Sequence, residues 1–176
     1  MRSKPIIILI SGKHPLYVKS GYAHYAAALA RQLVAIGCRV HIFCVGEINS
    51  VSKTNIGIIH VVKIPFLRLV SGREMAAFLP DSLFLAKAIK QLKHIDIIWG
   101  IGPWTLAGVL TGKKPIFADY FTTLKHEYGT SLFSFLERYI LANSTRILTH
   151  YRSTEHILQN EFNLDTKKFY RMPYAI

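Results

Sequence analysis

The sequence is short of acidic residues, with 10 Asp and Glu against 22 Lys and Arg, for a formal charge of +12 with neutral His. A surface this positive attracts phosphates, acidic lipids or nucleic acid, and it carries no information about fold. Cysteine is scarce too. Cys38 and Cys44 fall in one strand-like segment, where six extended residues separate two Cα atoms by roughly 20 Å, far beyond disulfide reach. They read as reduced core residues. With no Cys/His cluster at ligand spacing, the pattern points to a reducing compartment and to no bound metal. Long apolar runs are also missing. Arg2 and Lys4 precede an apolar stretch, Pro5 to Ile10, that is too short for a secretory signal. The stretch Ile97 to Gly112 is broken by Gly100, Gly102 and Pro103, whereas a spanning helix needs roughly 20 apolar residues. A cytoplasmic chain without a transmembrane segment is therefore expected. Neither G-x-G-x-x-G nor G-x-x-x-x-G-K-[ST] occurs, which argues against an ordinary dinucleotide or P-loop site.

What is present is a core. Hydrophobic residues make up 51% of the 176 positions, enough for about one sizeable domain. Lys4 to Ile10 is β-branched and almost wholly apolar, which suits a central strand covered on both faces. Ser20 is placed to cap a helix from Gly21 to Ile36, with Tyr22, Ala26, Leu29, Leu33 and Ile36 on one face and Gly37 as its stop. Strands are expected at Arg39 to Val45 and Ile56 to Ile64, the latter closed by Pro65, which lacks the N–H a ladder needs. A helix over Asp81 to Lys93 leads to a strand at Ile95 to Trp99, and another helix follows Pro103. Strands at Lys114 to Tyr120, Arg146 to His150 and Lys168 to Met172 alternate with helices at Thr130 to Leu141 and Ser153 to Glu161. This alternation predicts an α/β fold, a doubly wound parallel sheet of Rossmann-like type.

In such sheets ligands bind outside the carboxyl ends of the strands, so the informative loops are Ser11 to Gly21, Gly100 to Trp104, Asp119 to Glu127 and His150 to Ser153. The first ends in Lys19-Ser20-Gly21 at a helix start, where unpaired N–H groups and the helix dipole favour an anion such as a diphosphate. Gly21 either permits close approach of that anion or simply begins the helix.

The stretch Ser20-Gly21-Tyr22, through Ala27 to Leu33, to Ile36-Gly37-Cys38-Arg39-Val40-His41-Ile42 resembles the opening of family 4 glycosyltransferases: a Gly loop, an Ala/Leu-rich helix ending in Gly, then a strand. Asp96-Ile97-Ile98-Trp99-Gly100, Lys114 to Asp119 and Arg171 to Ile176 resemble later landmarks of the family, in order. The resemblance spans essentially the whole chain. It implies a GT-B architecture in which residues 1–176 form the N-terminal, acceptor-side domain, and it implies that the nucleotide-sugar domain lies beyond this chain. The implied reaction is metal-independent transfer, with retention, from a nucleotide-sugar donor to a glycan or lipid-linked acceptor. Many family members carry a His just after the strand equivalent to Pro115 to Asp119, where this chain has Asp119-Tyr120-Phe121 and no His before His126.

The site residues expected on this basis are Asp119 and His126 for catalysis, and Ser20, Gly21, Tyr22, Gly102 and His150 around the donor. Asp119 either orients an acceptor hydroxyl or merely caps a helix or pairs with a surface cation. Glu127 shares both readings. His24 can face the cleft, whereas His41, His60, His94 and His156 read as structural or surface residues. Trp104 and Tyr120 suit either sugar stacking or the core, with the core favoured. Between Lys63 and Phe78, apolar Phe66, Leu67, Leu69, Val70 and Met75 interleave with Arg68 and Arg73, which suits either a packed loop or an anionic membrane surface. Scattered Lys and Arg without a recognition motif argue against nucleic acid as a partner. A non-catalytic partner module is the alternative to an enzyme half.

Overall fold

The computed structural model of the chain describes residues 3–64, 74–123 and 131–172. The elements in order are β1 (Ile6–Gly12), α1 (Gly21–Ala35), β2 (Arg39–Gly46), β3 (Ser50–Thr54), β4 (Gly57–Lys63), α2 (Glu74–Lys90), β5 (Ile97–Ile101), α3 (Thr105–Thr111), β6 (Ile116–Tyr120), α4 (Ser131–Asn143), β7 (Arg146–Thr149), α5 (Arg152–Phe162) and β8 (Phe169–Arg171). The strands make an 8-stranded sheet in the order β3-β4-β2-β1-β5-β6-β7-β8. The apolar run of β1 occupies an interior position, with Leu9 opposite Ile42 of β2 and Trp99 of β5, both strands parallel to it. From β1 the chain order runs one way to β2 and β4 and the other way to β5 through β8. This makes β1/β5 the topological switch point, the place outside the carboxyl ends of the strands where open α/β sheets bind ligands.

Two apolar layers hold the sheet. One lies between the sheet and α1, where Ala26, Ala27, Leu29, Ala30 and Leu33 pack on Ile7, Leu9, Ile42 and Ile59. The other joins Ile8, Ile10 and Ile98 to Leu85 and Ile89 of α2, Leu106 of α3, Ile140 of α4 and Leu158 of α5. Asp96 registers β5 against β1: its carboxylate accepts from the Ile6 N–H at 2.7 Å, and its own N–H donates to Ile6 O at 2.9 Å.

The structure departs from the expectations in three places. The sheet is mixed, because Ser50–Thr54 forms an antiparallel edge strand on β4. Its sequence, SVSKT, is polar and mostly exposed, so it lacks the apolar run that announces a buried strand. The helix α2 starts at Glu74 and continues through Pro80. A proline inside a helix removes one backbone bond and usually ends or kinks it, but Phe78 on one side of Pro80 and Leu85 and Ile89 on the other are all buried, which holds both halves in place. Finally, Ile36 is the C-cap of α1 and is 76% exposed, so the apolar face of that helix ends at Leu33.

Candidate active-site cleft

The first wall of the cleft is the start of α1. Ser20 has extended backbone and its hydroxyl accepts from the Ala23 N–H at 3.2 Å, the side-chain cap its sequence position suggested. Gly21 is exposed, and a Cβ built on it would meet nothing within 4 Å. Among the described residues no packing therefore demands glycine there. Gly12, by contrast, leaves β1 with φ +67, and a Cβ there would run into the indole of Trp104, which lies flat over this turn. That contact gives Trp104 a packing role. Tyr120 is wholly buried, and that burial raises its hydroxyl well above the usual tyrosine value.

The second wall is centred on Asp119, the penultimate residue of β6, which is 0% exposed. Its Oδ2 accepts from the Tyr25 hydroxyl at 2.6 Å and from the Trp99 indole N–H at 2.9 Å. Its Oδ1 lies 2.8 Å from His150 Nε2. With a carboxylate as acceptor, Nε2 carries the proton, which fixes the imidazole tautomer and orientation. The His150 ring lies against Phe121, with centroids 4.3 Å apart and planes at 11°, and Tyr25 meets both rings edge-on. Tyr22 meets Phe121 edge-on at 5.8 Å and leans over Gly102, whose added Cβ would lie 3.4 Å from the Tyr22 ring.

Six of the seven expected site residues lie near one another at the carboxyl ends of the strands: Ser20, Gly21 and Tyr22 open α1, Tyr22 leans on Gly102, and through Phe121 the contacts reach the buried Asp119 and His150. His126 and Glu127 lie outside the described residues, as does most of the basic-apolar segment between Lys63 and Phe78. The His150 side chain is 1% exposed and Asp119 is buried, so both sit beneath the partly exposed rings of Tyr22, Tyr25 and Phe121. His24 is exposed, and Tyr25, one residue on, makes the contact to Asp119. Tyr25 and Trp99 escaped the sequence reading. The signal for Tyr25 was its i+3 spacing from Tyr22 in the first turns of α1, and for Trp99 its place near the end of β5.

Cys38 and Cys44 are both free thiols, and burial pushes Cys44 up to about 12. Among the described residues no group of three or more His, Cys, Asp or Glu is arranged to hold a metal ion. No described helix is long and apolar enough to cross a membrane.

The family model described as Glycosyltransferase Family 4 matches residues 19–176. The chain belongs to glycosyltransferase family 4. Solved structures agree on the fold. Sucrose-phosphate synthase from Thermosynechococcus elongatus superposes with a TM-score of 0.81 at 16% identity, over 98% of this chain and 49% of that one. The Anabaena protein HepE in complex with UDP gives 0.63 at 9% identity, over 98% and 44%. A glycosyltransferase from Rickettsia africae gives 0.55 at 14%, over 99% and 44%. The fold is that of one half of a GT-B glycosyltransferase, and the chain spans about half the length of these solved relatives. A search of curated protein sequences finds no match.

Proposed function

We propose that this family 4 chain is the acceptor-side domain of a retaining glycosyltransferase that moves a sugar from a nucleotide-sugar to a glycan or lipid-linked acceptor. In this reading a second domain grips most of the nucleotide. The observation that supports the proposal is the chain of contacts that runs from the α1 N-terminus through Tyr22 and Phe121 to the buried Asp119–His150 pair, at the switch point of the sheet.

Each part has a physical task. In transfer from a nucleotide-sugar the leaving diphosphate gains negative charge. The N–H groups at the start of a 15-residue helix, with its dipole behind them, stabilise that charge without needing to reorganise. This is compatible with the metal-independent reaction that the family resemblance implies. The open space over Gly21 lets a phosphate reach those groups. Tyr22, Tyr25 and Phe121 offer ring faces and edges of the kind that pack against sugar C–H surfaces. Asp119 and His150 act as positioning residues beneath them, because their polar atoms hold the rings in place. The structure of HepE with UDP supports a uridine diphosphate as the first donor nucleotide to try.

The test is turnover. The 176-residue chain, incubated with a panel of UDP- and GDP-sugars and analysed for sugar release or transfer, is expected to show none, because one wall of the active site belongs to the second domain. Transfer by this chain alone would overturn the division of labour.

A further inference from the structure

A groove of about 710 Å³ runs between the β3–β4 hairpin and the second half of α2, and it shares no residue with the cleft. It exists because the sheet is wider than the helices on this face. Phe43 of β2 is covered, whereas Val62 of β4 is only half-buried and Val51 of β3 is 68% exposed. Val51 stands across the ladder from His60. The His60 ring lies parallel to Phe43, with centroids 4.4 Å apart and an interplanar angle of 2°, which makes a flat wall. From α2, Phe84 and Ala88 at i, i+4 spacing face the same space, with Lys87 between them, and Lys63 lines it at the end of β4. Among the described residues every charged side chain in the lining is a lysine, and no carboxylate is among them.

We propose that this groove binds a lipid anion: a single alkyl chain lying against Val51, Val62 and Phe84, with a phosphate or carboxylate head between Lys63 and Lys87. The volume falls within the roughly 300–1,000 Å³ typical of ligand clefts, which are largely apolar with a few placed polar groups. An inorganic anion has no use for the apolar floor, and an uncharged chain leaves the lysines unanswered. Burial and the neighbouring His41 ring hold His60 down to about 4. Its wall is therefore uncharged at neutral pH and does not compete with the lysines for the head group. The net charge of +12 enriches anions at the surface as a whole, while the groove selects among them by chain.

The probe is decyl phosphate, kept below its micelle concentration and titrated into the 15N-labelled full chain. Inorganic phosphate and the uncharged decyl dimethyl phosphate serve as the two half-ligands. Shifts are expected at Val51, His60, Val62, Phe84 and Lys87, and affinity should rise about fourfold per added methylene from octyl to decyl, from about 0.8 kcal/mol per buried CH₂. The double variant K63E/K87E should weaken decyl phosphate at least tenfold and leave the uncharged ester unchanged. V51D, at an exposed edge position, should weaken both chains. Unaltered circular dichroism would show that the variants remain folded. Chain-length independence, equal shifts from inorganic phosphate, or shifts centred on Ser20 and Gly21 would each overturn the proposal. So would a self-association in sedimentation that V51D abolishes, because the face would then belong to a second copy of the chain.

Discussion

Replacing Asp119 by Ala removes the one acceptor shared by the Tyr25 hydroxyl, the Trp99 indole N–H and His150 Nε2. Leaving a buried donor without its acceptor costs about 1–3 kcal/mol. The three losses share one carboxylate and are not additive, so a total of about 3–5 kcal/mol is expected, with part of the gross loss offset by no longer desolvating the carboxylate. For a chain of this size that corresponds to roughly 6–20 °C in Tm. Asp119→Asn is a gentler probe. Its carbonyl can keep both bonds at the Oδ2 position, but its amide faces His150 Nε2 as a donor, so the imidazole must move its proton to Nδ1. A loss of about 1–2 kcal/mol is expected, together with an exchanged tautomer. Urea denaturation gives the energies, and 15N chemical shifts of the His150 ring give the tautomer. A wild-type ring with Nε2 unprotonated at neutral pH, or an Asp119→Ala variant within 1 kcal/mol of wild type, would refute the reasoning.

Three further outcomes are expected. Gly21→Val should unfold within about 0.5 kcal/mol of wild type, since its side chain enters open space, yet it should lose most of any pyrophosphate affinity; a destabilised variant or unchanged binding contradicts this. Gly12→Ala should cost at least 2 kcal/mol, because a Cβ strains the φ of +67 and strikes the Trp104 ring, and a neutral effect in urea melts would show that the turn yields. His60 is held at about 4 when folded against 6.5 unfolded. It therefore contributes stability that is complete above pH 6.5 and is lost as pH falls toward 4. For a half-exposed ring solvent screening reduces the effect to about 1–2 kcal/mol. Asp81, pushed up to about 6 by burial, has the opposite slope and loses stability as pH rises through 6, so the His60 effect is read as the difference between wild type and His60→Gln. A difference that does not shrink between pH 6.5 and 4 would contradict it.

The parts of the fold that were legible carry their information locally. Ser20 and Gly37 bracket α1 through cap chemistry, and the unbroken apolar run of β1 announces a strand covered on both faces. β3 was invisible because an edge strand exposed to water has no apolar period to show, and the first turns of α2 were hidden behind Pro80, whose helix-breaking tendency tertiary packing overrides. The strand-end rule placed Asp119 and His150 at the carboxyl edge of the sheet, where they lie, because position along the sheet is readable from topology alone. It could not find Tyr25, whose bond to Asp119 spans 94 residues of sequence, or show that Asp119 would be enclosed rather than facing solvent. Those facts depend on how closely α1 approaches β6, which no local pattern encodes.

In the proposed function, the surface around the α1 N-terminus receives the diphosphate of a sugar donor. Backbone amide shifts on titration with UDP, and with pyrophosphate as the bare anion, test it most directly. The largest shifts are expected at Gly21 and Tyr22, with smaller ones at Gly102 and Phe121, for both ligands. Largest shifts at Lys167 and Lys168, or along the groove at Lys63 and Lys87, would contradict it.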